Sequence, residues 1–280
     1  MNIKYNVIKL KENKKEEIKD YVSVEEPLEM NLRFKKNGNW QTENLSITMR
    51  TPGKDEDLIV GFLFNERIIE NVSQIVKVKK QGNKVGDYNI QNKIEATINS
   101  NKKIDIGKLK RNFLTNSSCG VCGKTTLDTV EIIKNEKLNL SFPKIKKEII
   151  MKSSELLLSE QAEFSITGGI HASSLIDDSG KVIVTREDVG RHNALDKLIG
   201  FAIKKKLLNP SNQFLTCSGR LNFELVQKAL MANIGILIGV GAPTSLAIDL
   251  ANKFDMTLVG FAKQDSFNIY SNKERIVIKN

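Results

Sequence analysis

The fold of this chain is decided by residues 213–261, which read QFLTCSGRLNFELVQKALMANIGILIGVGAPTSLAIDLANKFDMTLVGF. Three short apolar runs, at 213–217, 235–240 and 256–261, are rich in Ile, Leu, Val and Phe, as buried strands are. Residues 224–233 and 245–254 lie between these runs and carry apolar positions at helical spacing. The segment therefore predicts a β-α-β-α-β unit with parallel strands and right-handed crossovers, inside a layered α/β domain.

The pattern changes on the N-terminal side of Pro143 and the lysine-rich residues 144–147. Upstream, LSITMR at 45–50 and IEATI at 94–98 alternate apolar and polar residues, which predicts strands exposed on one face. One helix is predicted from Asp55 to Ile69, and residues 80–93, rich in Gly, Asn, Lys and Gln, are predicted to form a loop. We therefore predict an α/β protein with two domains: a smaller, mostly β N-terminal domain at 1–145 that ends in a Cys-x-x-Cys loop, and an α/β domain at 146–280.

The composition of the chain indicates the compartment in which the protein functions and the kind of partner that it binds. The chain of 280 residues has a formal net charge of +10, which favours anionic partners: nucleic acid, phosphorylated cofactors or an acidic protein surface, among which charge alone does not choose. Its three cysteines are too few for a disulfide framework and indicate a reducing compartment. The longest apolar stretch, 234–248, is broken by three glycines and a proline, and the N-terminal residues lack the apolar core of a secretory signal. We expect a cytoplasmic protein with no membrane or nucleic-acid partner.

The sharpest chemical signal is SSCGVCGK at 117–124. Cys119 and Cys122 are flanked by serines and glycines, and a basic patch precedes them: Lys102, Lys103, Lys108, Lys110 and Arg111. Nearby cations lower the pKa of a thiol from about 8.5 and so favour the reactive thiolate. The spacing alone leaves three interpretations open: a redox dithiol, half of a zinc site, or a thiol carrier. The surroundings favour the carrier, because a redox dithiol requires a thioredoxin-like setting and zinc requires two further ligands at a recognised spacing.

Other candidate residues lie at the predicted ends of strands. His171 follows a Gly-Gly turn, Arg191 and His192 lie at a predicted strand-to-helix junction, and residues 218–220 follow the first strand of the unit. Ligands of open α/β sheets bind beyond the carboxyl ends of the strands, so the loops after the three strands are predicted to line one pocket. Cys217 ends an apolar run and is expected to be a small buried residue. The chain has no P-loop and no G-x-G-x-x-G motif, so an NTPase or a Rossmann dehydrogenase is not indicated.

Six stretches together resemble the FdhD family of formate dehydrogenase accessory sulfurtransferases. They are MRTPG at 49–53 with VGFLF at 60–64, SCGVCG at 118–123, TGGIH at 167–171, REDVGRHNALDK at 186–197, SGR at 218–220 and APTSLA at 242–247. They span nearly the whole chain, and the twelve-residue string at 186–197 is too long to match by chance. The resemblance departs at residues 261–266, where an arginine-containing segment is expected and Lys263 is the only cation.

The resemblance implies a sulfur carrier. Such a protein receives a persulfide sulfur from a cysteine desulfurase on Cys119, with Cys122 assisting, and passes it to the molybdenum bis-guanine-dinucleotide cofactor before insertion into apo-formate dehydrogenase. It also implies a homodimer and a cytidine-deaminase-like C-terminal domain without deaminase chemistry, because Ser173 stands where the deaminase glutamate would be. The implied cofactor-binding residues, with no metal site, are Phe261, Ala262, Lys263, Gln264, Asp265, Ser266, Arg191, His192, Ser218, Gly219, Arg220 and His171.

One function of a different class stays open. The chain would be a binding chaperone for the molybdenum cofactor if its cysteine pair were structural or metal-binding. Replacing both cysteines separates the two functions, because a chaperone can still deliver the cofactor, whereas a sulfur carrier loses all activation of formate dehydrogenase.

Overall fold

The structure is a computed structural model that describes residues 1–12, 14–85, 88–99, 137–139 and 141–278. The predicted Cys119 and Cys122 site and the basic patch before it lie outside the described residues. In chain order the described elements are β1 (Asn2–Lys11), β2 (Lys14–Ser23), β3 (Glu26–Lys36), β4 (Asn39–Arg50), α1 (Asp55–Asn65), β5 (Ile75–Val85), β6 (Ile90–Ile98), β7 (Ile145–Lys146), α2 (Lys147–Ser159), α3 (Ala162–Thr167), β8 (His171–Asp177), β9 (Val182–Asp188), α4 (Arg191–Lys204), β10 (Gln213–Cys217), α5 (Phe223–Met231), β11 (Ile236–Gly239), α6 (Ser245–Lys253), β12 (Thr257–Gly260), β13 (Asn268–Ser271) and β14 (Ile276–Val277). Over these ranges the protein is a mixed α/β structure.

A six-stranded sheet organises the C-terminal half, in the order β13-β12-β11-β10-β8-β9. Its three central strands β10, β11 and β12 are parallel, and α5 and α6 connect them, which confirms the predicted β-α-β-α-β unit. The outer strands β8, β9 and β13 run antiparallel to their neighbours. Because β8 is antiparallel to β10, its first residue lies at the edge where the parallel strands end.

Side chains of the central strands alternate between two apolar cores, since successive residues of a strand point to opposite faces. Leu215 of β10 and Leu237 of β11 join the core under α4, α5 and α6. Phe214 and Ile236, their neighbours in the chain, join the core on the other face, under α2 and the short strands β7 and β14. A sheet buried on both faces explains why the three runs are continuously apolar in sequence.

The N-terminal half contains a four-stranded sheet, in the order β4-β3-β6-β5, with α1 packed on one face. The predicted strands at 45–50 and 94–98 are confirmed as parts of β4 and β6. The predicted loop at 80–93 was wrong, because β5 continues to Val85 and β6 begins at Ile90. The predicted helix begins at Asp55 but ends at Asn65 rather than Ile69, because Arg67 takes a left-handed backbone conformation.

Helices α1 and α4 cross at unusually close range because glycines lie at the contact. A Cβ atom on Gly61 would lie 1.9 Å from the backbone oxygen of Asp196, and a Cβ atom on Gly200 would lie 1.9 Å from that of Asp57. Any side chain at either position would therefore overlap the backbone of the other helix. This crossing fixes the N-terminal sheet against the C-terminal half.

A buried polar cluster reinforces the same contact. The Asp188 carboxylate accepts hydrogen bonds from Thr51 N at 3.2 Å and Gly190 N at 2.9 Å, and it pairs with Lys197 Nζ at 2.6 Å. Lys197 also donates to the Thr51 carbonyl at 2.8 Å, and the Asn193 amide donates to the Met49 carbonyl at 2.8 Å. The two halves therefore share an interface, and the predicted domain boundary at residue 145 stays a prediction.

Strands β1 and β2 form a separate hairpin whose side chains are mostly exposed. A 2.7 Å hydrogen bond between the hydroxyls of Ser23 and Thr167 joins this hairpin to α3. Over the described ranges, the structure contains no helix with the length and hydropathy required to span a membrane.

Candidate functional site

A cavity of about 500 Å³ lies at the edge of the central sheet where the parallel strands end. Its walls come from α2, α3, the Gly-Gly turn before β8, and the residues that follow β9, β10, β11 and β12. The lining residues are Ser154, Glu155, Leu157, Leu158, Gln161, Phe164, Gly168, Gly169, Ile170, His171, Val189, Ser218, Val240 and Gln264. Its volume is within the range of about 300–1,000 Å³ that is typical of small-molecule sites.

Three strand-end loops meet at this cavity, as predicted. Ser218 follows β10, Val240 follows β11 and Gln264 lies in the segment after β12. Backbone hydrogen bonds hold the loops together: Val240 N donates to Cys217 O at 3.0 Å, and Ala262 N donates to Gly239 O at 3.1 Å. Loops joined by backbone hydrogen bonds can hold a bound ligand in a fixed position, but ligand binding by these loops stays a prediction.

His171 and Ser218 form a polar pair in the cavity wall. Ser218 Oγ lies 3.3 Å from His171 Nδ1 and accepts a hydrogen bond from Ala172 N at 3.0 Å. Burial, together with the positive charge of Arg191, lowers the pKa of His171 below its usual value. The imidazole is therefore neutral at pH 7, with Ser218 as a neighbour that can donate or accept. No sequence signal indicated this pairing.

Gly219 allows His171 and Arg191 to approach each other. A Cβ atom at Gly219 would lie 3.2 Å from Cε1 of His171 and 3.7 Å from Cδ of Arg191. Arg191 is the first residue of α4, and its buried Nε has no hydrogen-bond partner within the described ranges. The helix N-terminus adds positive partial charge, so this corner of the site favours an anion.

His192 has a different environment, although it follows Arg191 directly. Its Nε2 accepts a hydrogen bond from the Asn222 amide at 2.9 Å and lies 3.5 Å from a carboxylate oxygen of Glu224. Burial lowers its pKa, so the imidazole is neutral at pH 7. These contacts join the starts of α4 and α5. His192 does not line the cavity, and Arg220 is exposed on the loop after β10.

The predicted segment at 261–266 begins directly after β12. Phe261 has a left-handed backbone conformation and an exposed side chain, whereas Ala262 is buried. Lys263 N donates to the Ser266 carbonyl at 2.8 Å, which closes a turn, and Asp265 accepts a hydrogen bond from the Ser266 hydroxyl. Of these six residues, only Gln264 lines the cavity, and Lys263 is an exposed cation beside it.

The wall formed by α2 and α3, which contributes Glu155, Gln161 and Phe164, was not predicted from the sequence. The α3 N-terminus is fixed by Glu187 of β9, whose carboxylate accepts hydrogen bonds from Glu163 N at 3.0 Å and Phe164 N at 2.9 Å. Glu187 lies within the string at 186–197, and no role was predicted for it. An acidic residue without a role in such a string is a signal that could have pointed to this contact with α3.

Cys217, the third cysteine, is buried as predicted and is 2% exposed. Its Sγ lies 3.4 Å from Ser173 Oγ, and burial raises the pKa of its thiol to about 11. A thiol with this pKa is fully protonated at pH 7, so Cys217 is not a nucleophile.

Comparisons with known proteins agree with the family resemblance over nearly the whole chain. The family model described as FdhD/NarQ matches residues 25–277. The sulfur carrier protein FdhD of Saccharolobus solfataricus is 38% identical over 273 residues, which cover 98% of this chain and 97% of that protein. The protein of the same name from Picrophilus torridus is 43% identical over 260 residues, 93% of each chain.

A solved structure shares the fold. The crystal structure of a proposed formate dehydrogenase accessory protein from Desulfotalea psychrophila superposes with a TM-score of 0.72 at 21% identity, over 99% of each chain. At this level of identity the likeness shows the fold alone. The family match and the relatives above 30% identity, which align over nearly their full length, carry the assignment. The chain belongs to the FdhD/NarQ family.

Proposed function

We propose that this protein is a sulfur carrier for formate dehydrogenase. Cys119 receives a persulfide sulfur from a cysteine desulfurase, and the sulfur passes to the molybdenum bis-guanine-dinucleotide cofactor before the cofactor enters apo-formate dehydrogenase. The observation that carries the proposal is the full-length match to relatives named sulfur carrier protein FdhD. The chain also has a Cys-x-x-Cys pair next to a basic patch, which suits a reactive thiolate.

The chemistry of loading requires one nucleophilic thiolate. The Cys119 thiolate attacks the outer sulfur of the desulfurase persulfide, the sulfur–sulfur bond breaks, and the desulfurase thiolate leaves. Release can use the second cysteine: the Cys122 thiolate attacks the inner sulfur of the Cys119 persulfide, which forms a Cys119–Cys122 disulfide and frees hydrosulfide. A basic neighbourhood favours both steps, because it stabilises thiolates.

The cofactor is the substrate of this reaction, and the cavity suits part of it. Its walls are mostly apolar, and their polar side chains are Ser154, Glu155, Gln161, His171, Ser218 and Gln264. Its volume of about 500 Å³ suits one nucleotide end of the cofactor, since sites of drug-sized ligands have about 300–1,000 Å³. The anion-favouring corner at Arg191 and the exposed Lys263 support binding of a phosphate group there.

Three further features belong to the same proposal. We expect a cytoplasmic protein, a homodimer, and a C-terminal sheet whose layering is similar to that of cytidine deaminases. A parallel three-strand centre with α4, α5 and α6 on one face and α2 on the other is compatible with that layering.

Intact-mass spectrometry tests the proposal directly. The protein is incubated with a cysteine desulfurase, its pyridoxal cofactor and cysteine, and the mass increase of one sulfur atom is located by peptide mapping on the peptide that contains Cys119. The Cys119→Ala/Cys122→Ala variant should gain no sulfur and should leave formate dehydrogenase inactive. Activation of formate dehydrogenase by that variant would instead identify a cofactor-binding chaperone.

A further inference from the structure

We propose that the exposed face of the four-stranded sheet docks an acidic surface of the protein that donates sulfur to Cys119. The residues that carry this inference are Arg33 and Lys35 of β3 and Lys77 and Lys79 of β5, which we name the basic sheet face. The inference rests on the proposed function and deepens it, because it names the surface at which the sulfur donor binds.

The register of the sheet brings these four cations together. Arg33 and Lys77 both lie opposite Thr97 of β6, one on each side of that strand. Neighbouring strands are about 4.8 Å apart, so the Cα atoms of Arg33 and Lys77 are about 10 Å apart. Lys35 and Lys79 lie two residues further along β3 and β5, and residues two apart in a strand point to the same face. Helix α1 packs on the opposite face, and all four cations are exposed.

The carboxylates on this face of the sheet already have partners. Glu29 pairs with Lys93 Nζ at 2.9 Å and accepts a hydrogen bond from the Asn31 amide at 2.9 Å. Glu95 accepts a hydrogen bond from the Thr42 hydroxyl at 3.2 Å. Among the residues that the structure describes, no carboxylate forms an ion pair with a cation of the basic sheet face. Four like charges without counter-ions on one surface favour an anionic partner.

Trp40 of β4 adds an aromatic side chain to this surface. It lies opposite Lys35, it is 46% exposed, and its ring centroid lies 5.2 Å from Cζ of Arg33 and 5.3 Å from Nζ of Lys35. The attraction between a cation and an aromatic face holds these side chains beside one another. Trp and Arg are the residue types enriched where protein–protein interfaces bind most strongly. This combination therefore indicates a protein interface.

The same face is poorly suited to nucleic acid. Sheets that bind single-stranded nucleic acid offer several aromatic rings on which successive bases stack. Trp40 lies on the edge strand β4, whereas the outward positions of the central strands β3 and β6 include Glu29, Asn31 and Glu95. Carboxylates at the centre of the face repel phosphates. The charges therefore favour an acidic protein surface as the partner.

The position of the basic sheet face suits the sulfur donor. Strand β6 ends at Ile98, at the end of the sheet where Arg33 and Lys77 lie, and Cys119 follows Asn99 by 20 residues in the chain. A donor docked there is held beside the point from which the chain leads to the cysteine. No residue of the basic sheet face lines the cavity, so the donor and a ligand in the cavity can bind at the same time. Formate dehydrogenase, in contrast, has to reach the cavity to take up the cofactor.

The kinetics of sulfur loading test the inference. The full chain is incubated with cysteine and increasing concentrations of a cysteine desulfurase, and the rate of the one-sulfur mass increase is measured. Lys77→Glu/Lys79→Glu should raise the desulfurase concentration that gives half the maximal rate about tenfold, because charges at an interface mainly control association, and should leave the maximal rate unchanged. Trp40→Ala should act in the same direction. Added salt should slow loading of wild type more than loading of the charge variant.

A matched control variant and a small sulfur donor exclude other causes. Lys146→Glu/Lys273→Glu makes the same change of charge at two exposed lysines of the C-terminal half and should keep the concentration dependence of wild type. Glutathione persulfide loads Cys119 without a docking surface, because the thiolate attacks its outer sulfur and the glutathione thiolate leaves. Wild type and all variants should therefore load equally from glutathione persulfide.

Four results would overturn the inference. The first is an unchanged half-maximal desulfurase concentration in Lys77→Glu/Lys79→Glu, and the second is an equal increase in the control variant, which would make net charge the cause. Normal loading of Lys77→Glu/Lys79→Glu with loss of formate dehydrogenase activation would assign the face to that enzyme. RNA binding by wild type that this variant abolishes would replace the acidic protein by nucleic acid. Absence of loading of wild type by either donor would refute the proposed function itself, and the inference with it.

Discussion

Lys197 of α4 places its Nζ 2.6 Å from Oδ2 of Asp188, the last residue of β9, and both side chains are almost completely buried. The same ammonium donates to the Thr51 carbonyl, and the carboxylate accepts from Thr51 N, so one residue after β4 binds both members of the pair. The pair therefore joins the N-terminal sheet to the C-terminal half, and it also fixes the start of α4, where Arg191 lies.

Breaking this pair should destabilise the protein strongly. Lys197→Met leaves a buried carboxylate without its cation, and removal of one partner of a buried pair typically costs about 3–5 kcal/mol of the free energy of unfolding. Urea denaturation monitored by circular dichroism measures the effect. The control is Lys93→Met, which breaks an exposed pair with Glu29 and should cost less than about 1 kcal/mol. Equal losses in the two variants would contradict a special role for the buried pair.

Small side chains at the helix crossing should be required for stability. Gly61→Ala and Gly200→Ala each place a methyl group 1.9 Å from a backbone oxygen of the other helix, so the helices must separate. We expect each to lower the free energy of unfolding by about 2–3 kcal/mol, as overpacked cores do. Gly169→Ala is the control, because its nearest neighbouring atom would lie at 3.8 Å. A crossing that tolerates both substitutions would refute the close packing of α1 on α4.

The two histidines should make the protein less stable below neutral pH. Burial lowers the pKa of both His171 and His192 in the folded state, so between the folded pKa and the usual value of about 6.5 the unfolded chain binds more protons. Their contribution is therefore complete above about pH 6.5 and is lost as the pH falls towards the lower folded pKa. Asp196, whose pKa is raised by burial to about 6, acts in the opposite direction.

The histidine contribution is therefore measured as a difference. Urea unfolding of wild type, His171→Gln and His192→Gln is compared at pH 7 and pH 5. Both variants should lose less stability than wild type when the pH is lowered. An identical pH dependence in all three proteins would show that neither imidazole resists protonation in the folded state.

Cys217 should not take part in sulfur transfer. Its thiol is buried with a pKa of about 11, so iodoacetamide should not label it in the native protein and should label it after denaturation. Cys217→Ala should retain full sulfur loading, with only a modest loss of stability from the small cavity. If Cys217→Ala lost sulfur loading while its melting temperature stayed unchanged, Cys217 would take part in sulfur transfer and the prediction would be wrong.

The two cysteines of the pair should differ in sulfur loading. Cys119→Ala should abolish loading by a cysteine desulfurase, whereas Cys122→Ala should retain part of it, because Cys119 is the residue proposed to hold the persulfide. Peptide mapping after desulfurase treatment measures both. The reverse result, with full loading of Cys119→Ala and none of Cys122→Ala, would exchange the two roles.

The sequence predicted the parts of the fold in which hydrophobicity determines the structure. Strands β10, β11 and β12 are buried on both faces, so their apolar runs were visible in the sequence, and the strand-to-helix junction predicted at Arg191 and His192 is the junction between β9 and α4. Residues 80–93, where β5 ends and β6 begins, were predicted as a loop because exposed residues such as Lys80 and Lys84 carry the composition of a loop although their backbone is paired.

The site was predicted only where the chain order implies spatial proximity. The ends of parallel strands meet at one edge, so Ser218 and Gln264 could be placed near each other without a structure. Gln161 could not, because its place in the cavity wall depends on how α2 and α3 pack against the strand ends. His192 was predicted to bind the cofactor because it follows Arg191 in the sequence. In the structure its side chain contacts Asn222 and Glu224 instead of lining the cavity, and these contacts depend on how α5 packs.

The surface of α1 that receives α4 has a consequence for protein synthesis. Asp57, Gly61 and Asn65 are spaced four residues apart and face a helix that leaves the ribosome more than 130 residues later. At translation rates of about 5–20 residues per second, the nascent N-terminal half waits on the order of ten seconds for its partner. Because Asp57, Gly61 and Asn65 are small or polar, this part of α1 exposes little apolar surface on which other nascent chains can aggregate, although Phe64 at the end of α1 packs against both cores.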